Sequence, residues 1–144
     1  MDRGTRTVRL RLIRRDEAPP SHDLDEAYEF GLQDTKQQIV PGERLADGGL
    51  VFDFTLEAKP GKHPDRPVFT GRFASGPAED RFVYLSWRSV PRGVYINRVK
   101  ARLGSIDWQM VRAAQAADRP LVADMSGWRP HDPRKQVEWR LAPA

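Results

Sequence analysis

A chain of 144 residues is the length of one domain and takes roughly 70% of its unfolded surface out of water on folding. With 39% apolar and 31% charged residues it is unlike a disordered chain, and its lack of cysteine excludes disulfides, thiolate zinc sites and thiol nucleophiles. The 24 basic residues are offset by 20 acidic ones, leaving a net charge of +4 with none of the dense basic tract usual in a general nucleic-acid binder.

At the N-terminus Arg3, Arg6, Arg9, Arg11, Arg14 and Arg15 interrupt any apolar stretch of the secretory-signal kind. No run approaches the roughly 20 apolar residues that cross a bilayer. The expectation is a cytoplasmic, single-domain chain over 1–144 with no membrane partner.

The first element is a strand over 6–14, in which Val8, Leu10 and Leu12 point one way and Arg9 and Arg11 the other. A short helical turn is expected after Ser21 in SHDLDEAYE. The strand over 50–57 alternates most cleanly, with Leu50, Phe52, Phe54 and Leu56 opposite Val51, Asp53, Thr55 and Glu57.

Strands over 68–74, 82–87 and 95–103 follow, bounded by Pro60-Gly61, Gly76-Pro77 and Pro91 with Gly93. The last of these has Tyr95, Asn97, Val99, Ala101 and Leu103 on one face and Ile96, Arg98, Lys100 and Arg102 on the other. Ile106, Met110, Ala114 and Ala117 then recur at helical spacing, predicting one α-helix over about 106–118 with Ser105 as N-cap, Asp107 in the first turn and Pro120 beyond its end. Strands over 121–125 and 136–141 close the chain, with Val137, Trp139 and Leu141 facing inward.

Strands joined by short turns, with one helix late in the chain, predict a mainly β fold. We expect an antiparallel β-sandwich or half-open barrel of about seven or eight strands, the helix covering one end. A parallel βαβ fold needs several crossover helices.

Phe30-Gly31-Leu32-Gln33, Phe52-x-Phe54 and Phe69-x-Gly71-x-Phe73 occur in that order, followed by Gly76-Pro77, Arg81-Phe82-x-Tyr84-Leu85, Arg98-x-Lys100 and Ile106-x-Trp108-x-x-Val111. The set resembles a bacterial family of small proteins known only as a domain of unknown function, over about Phe30 to Val111. The resemblance implies one compact domain and, as the family has no established activity, no catalytic or binding residue. The C-terminal segment ADMSGWRPHDPRK departs from the more glycine-rich stretch expected there.

Each histidine has a carboxylate nearby, as His22-Asp23, His63-Pro64-Asp65 and His131-Asp132, but each pair lies in a polar, Pro-rich loop and reads as solvent-exposed. Asp23, Asp25 and Glu26 lack the Gly-punctuated loop of a calcium site. Ser86 and Ser105 lie in no nucleophile elbow and read as structural, and Gly48-Gly49 precedes a strand and forms no phosphate cradle. Gly71 reads as a strand glycine that permits a bulge or close packing under a neighbouring aromatic. No catalytic residue, metal ligand or cofactor is assigned.

Two Trp-Arg-Pro segments stand out: Trp87-Arg88-Ser89-Val90-Pro91-Arg92 and Trp128-Arg129-Pro130-His131-Asp132-Pro133-Arg134. A flat indole beside a planar guanidinium, on a loop stiffened by proline, suits an anionic ligand with a flat part; alternatively the indoles close the end of the sandwich. Arg98, Lys100 and Arg102 form a cationic strand face that would join Arg9 and Arg11 if the two strands paired, unless carboxylates intervene.

The expected binding residues are therefore Trp87, Arg88, Arg92, Arg98, Lys100, Trp128 and Arg129. The leading expectation is a non-catalytic binding module for a small anionic ligand or an acidic protein surface. The alternatives are a single-stranded nucleic-acid binder and an enzyme with a carboxylate or histidine in a barrel mouth. A monomer or a homodimer fits the pattern equally.

Overall fold

The computed structural model describes residues 4–14, 28–33, 39–47, 49–71, 82–93, 95–125 and 137–143. Alternation of apolar and polar residues builds the strands β1 (Arg6–Arg14), β2 (Tyr28–Gln33), β3 (Ile39–Pro41), β4 (Glu43–Arg44), β5 (Leu50–Lys59), β6 (Val68–Thr70), β7 (Phe82–Ser89) and β8 (Tyr95–Arg102). The helix α1 (Trp108–Ala117) and the strands β9 (Leu121–Asp124) and β10 (Arg140–Leu141) complete the order.

Among the described residues ten strands divide into two sheets. One is six-stranded, in the order β10-β9-β1-β5-β4 with β6 also paired to β5, and the other is four-stranded, in the order β3-β2-β7-β8. Among the described residues no strand pair joins the sheets, so of the two expected layouts the sandwich holds. It departs from the all-antiparallel expectation at one place, where β1 and β9 run parallel.

The six-stranded sheet follows from its sequence face by face. Val8, Leu10 and Leu12 stand opposite Leu56, Phe54 and Phe52, and all six are buried. Leu121 and Ala123 extend the same layer beside Leu10 and Leu12. Each large side chain so buried contributes about 1.5–3 kcal/mol, which makes this layer the main source of stability. Asp53, Thr55 and Glu57 face out as expected, whereas Val51, beside Ile13 and Glu43, is buried as well.

Leu32, Val83, Leu85 and Trp87 supply the four-stranded sheet's side of the core. Contact across the sandwich is aromatic: the Phe30 ring lies 5.7 Å from Phe52, edge to face. Gly42 lets the chain pass close to that ring, since a Cβ there would lie 2.6 Å from it. Gly71, with φ +154°, follows β6 where an added Cβ would meet Leu56 at 2.7 Å, so the close packing expected of it is against an aliphatic side chain and not under an aromatic one.

The helix begins two residues later than its apolar spacing predicts, and Ser105 is not its cap. Asp107 is: its backbone is extended and its carboxylate accepts from the Met110 N–H at 2.8 Å. The Ser105 hydroxyl donates instead to the Val137 carbonyl at 3.0 Å. Trp108, Val111 and Ala114 form the buried face, so Ala114 and the adjoining Val111 hold to the expected stripe while Met110 and Ala117 lie half-buried at its edges. At the C-terminal end Asp118 turns left-handed, with φ 53°, and Arg119 N–H reaches Ala114 O, so the helix stops before Pro120.

Gln115 accepts from Arg6 at 2.7 Å and donates to the Thr7 carbonyl at 3.0 Å, while Trp108 N–H reaches Asp65 O. These contacts hold the helix across one end of the six-stranded sheet. Further differences concern short segments. Tyr28 and Glu29 begin β2 and so extend no helical turn; the remainder of the turn expected from Ser21 lies outside the described residues. In the last expected strand only Arg140 and Leu141 pair in a ladder, although Val137 and Trp139 are buried and Glu138 exposed, as the alternation requires.

Candidate functional site

The expected Trp-Arg-Pro loop at Trp87 is not a loop through its first half. β7 runs on to Ser89, and the strand's alternation sends Trp87 and Arg88 to opposite faces. Trp87 is 0% exposed, with Phe30 4.7 Å from its ring. It fills the core and forms no platform with its neighbour. Arg88 lies outside, where its Nε donates to Glu29 Oε2 of β2 at 3.0 Å.

Arg92 is exposed in the turn that follows, its N–H bonded to Ser89 Oγ at 3.3 Å. Trp128 and Arg129 lie outside the described residues, as do His22, His131, Asp23, Asp25 and Glu26. Among the described residues no three His, Asp or Glu side chains gather as metal ligands do.

Nor do the two cationic strands meet, because β1 and β8 belong to different sheets. Carboxylates intervene on β1. Arg11 makes a two-pronged contact with Asp53, at 2.7 and 3.1 Å, and Arg9 reaches Asp118 at 3.0 Å. The hydrogen bond to Asp53 holds the Arg11 pKa above its ordinary value, with a smaller lift from the charges of Asp53 and Glu43 against the effect of burial. A pKa raised in an arginine gives stability that is fully present below the guanidinium's ordinary range and so does not vary near neutrality.

What the register does assemble is the outer face of the four-stranded sheet. Arg102 stands opposite Phe82, Lys100 opposite Tyr84 and Arg98 opposite Ser86. For Arg98 the backbone position is described and the side chain is not. Lys100 is exposed, and Phe82, Tyr84 and Arg102 are half-buried. The two rings lie 5.1 Å apart, edge to face, and the Lys100 ammonium sits 4.7 Å from the Phe82 centroid.

The middle of the same face is sealed. Gly31, Gln33 and Ser86 are buried there, and Ser86 Oγ bonds Gln33 Oε1 at 2.7 Å. Two ends of the face stay accessible, one bearing Arg88 and Glu29, which pair with each other, and one bearing Phe82, Tyr84, Lys100 and Arg102. A separate shallow depression beside β10 is lined by Ser105, Val137, Glu138, Trp139 and Arg140.

A family model described as a family of unknown function, DUF5990, matches residues 8–135. The chain belongs to this family. The match is wider than Phe30 to Val111 and takes in β1, α1, β9 and the ADMSGWRPHDPRK segment that was expected to depart. No curated protein and no solved structure matches the chain.

In this DUF5990 protein the residues that sequence reasoning missed are Phe82 and Tyr84. Their signal was parity: once Val83, Leu85 and Trp87 face the core, the residues between them face outward. Of the expected site residues, the structure sets Lys100 beside these rings, turns Trp87 away from them and ties Arg88 to Glu29.

Proposed function

We propose that this protein is a non-catalytic binding module that takes an anionic partner on the outer face of its four-stranded sheet. One observation carries the reading: the β7–β8 register sets two cations, Lys100 and Arg102, beside two half-buried rings, Phe82 and Tyr84, on one accessible patch. Ammonium and guanidinium groups supply the attraction, and the rings supply a flat apolar surface next to them.

The patch lies on the face of a sheet and is two strands wide. That shape suits an extended anion better than the compact metabolite also expected from the sequence. Trp87 has no part in this reading, because its ring is sealed in the core.

Heparin, as a generic polyanion, is the probe. The wild-type protein is expected to bind it in dilute buffer and to release it as salt rises, and Lys100→Glu with Arg102→Glu is expected to lower the affinity about tenfold or more. Failure of the folded wild-type protein to bind at low ionic strength overturns the reading.

A further inference from the structure

We infer that the anionic partner is a single nucleic-acid strand, whose unpaired bases lie against Phe82 and Tyr84 while its phosphates meet Lys100 and Arg102. The inference rests on the anion-binding reading above and adds the chemical class of the partner. Cations alone serve any polyanion. The rings discriminate.

Phe82 and Tyr84 are two apart on one strand, so their side chains leave the sheet roughly 7 Å from each other, about twice the rise per strand residue. Their rings meet at 63°, so together they present a face and an edge to whatever lies above. An unpaired base has a π-face for such a ring, and every base has one, which makes the contact tolerant of sequence. A duplex keeps those faces stacked inside, and an acidic peptide offers carboxylates to the cations and nothing flat to the rings.

Charge is placed to match. Lys100 and Arg102 come from the neighbouring strand, directly opposite the two rings, so a backbone running along β8 carries its phosphates past the cations with its bases turned toward β7. The Lys100 ammonium now rests against the Phe82 ring at 4.7 Å, and its flexible stem lets it swing to a phosphate when a base takes that place. The sealed middle of the face, at Gly31, Gln33 and Ser86, limits the contact to the two rings and hence to roughly two nucleotides.

The test compares oligo(dT) and oligo(U) with an abasic sugar-phosphate strand of equal length and with poly-glutamate, by fluorescence anisotropy at one salt concentration. The expected result is that the base-bearing strands bind roughly fivefold to a hundredfold more tightly than the abasic strand. Phe82→Leu and Tyr84→Leu are expected to erase that difference while leaving abasic binding unchanged, in protein shown by circular dichroism to be folded. The comparison on the wild-type protein needs no variant, so a variant that fails to fold does not remove the test.

Equal affinity for abasic and base-bearing strands overturns the inference and leaves the anion-binding reading standing. Tighter binding of poly-glutamate than of any nucleic acid overturns it in favour of an acidic protein partner. Binding of none of the probes overturns both.

Discussion

Arg14 carries the largest unexpected cost in the core, since its guanidinium is 0% exposed. Taking a charge out of water costs several kcal/mol, and contacts among the described residues offset part of this. The Trp87 and Phe30 rings lie 4.9 and 5.6 Å from its central carbon, and its NH1 donates to the Met125 carbonyl at 3.3 Å. Truncation removes both the packing and the donor, so Arg14→Ala is expected to cost about 3–5 kcal/mol in urea unfolding. Arg14→Met keeps the stem's volume and abolishes the desolvation cost, and is expected to lose less than half as much. An Arg14→Ala protein as stable as wild type contradicts this account. Two tryptophans allow a cleaner comparison. Both Trp108 and Trp139 are buried, yet Trp139 Nε1 donates to Arg102 O at 2.8 Å while Trp108 Nε1 has no partner among the described residues. Replacing each by Phe removes similar area, but only at Trp139 does it leave a carbonyl without its donor. Trp139→Phe is therefore expected to cost about 1–2 kcal/mol more than Trp108→Phe, and thermal melts giving the opposite order would refute the assignment.

At the scale of elements, the start of α1 is held by one side chain. Asp107→Ala removes the acceptor for the Met110 N–H and is expected to destabilise the protein by about 1 kcal/mol with an unchanged m-value. Ser105→Ala leaves the helix start intact, because that hydroxyl bonds Val137 O and touches no helical N–H. If urea titration shows Ser105→Ala to be the costlier change, the cap has been misassigned. The misreading of this cap shows which elements are legible from a sequence. β1 and β5 have one dry and one wet face over most of their length, so Val8, Leu10 and Leu12 against Arg9 and Arg11 announce both the strand and its orientation. β2 gives a weaker signal because its described side chains offer only Phe30 and Leu32 to the core face, and Gly31 between them is a residue that strands disfavour. β3 and β4, of three and two residues, are too short to carry a period. The site was legible in part for the same reason. Lys100 and Arg102 announce themselves as an outward face, whereas Trp87-Arg88 looked like a recognition loop because the strand's end at Ser89 is set by pairing with Tyr28, a partner distant in the chain. Phe82 and Tyr84 acquire meaning only when the β7–β8 register sets cations opposite them, and register is a tertiary fact.

Over the whole molecule the net charge of +4 conceals how locally the charges cancel. Arg9 is paired with Asp118, Arg11 with Asp53 and Arg88 with Glu29, so the cations of β1 and the end of β7 contribute little field beyond their partners. At physiological ionic strength fields fade over about 8 Å, so distant charges add little to encounter with a polyanion. Binding at the outer face of the four-stranded sheet should then depend on the cations within reach, Lys100 and Arg102. For single strands the logarithm of affinity falls with the logarithm of salt by about 0.7 per phosphate neutralised, which for two contacts predicts a slope of about −1.4. Lys100→Glu should flatten that slope by about 0.7, the loss of one contact. A measured slope steeper than about −4 demands more than five phosphates at once, beyond what this patch can neutralise, and would move the interface to another part of the surface. A slope near zero, with affinity retained, would mean that the rings act without the cations, and the opposition of Lys100 and Arg102 to Tyr84 and Phe82 would then be a property of packing alone.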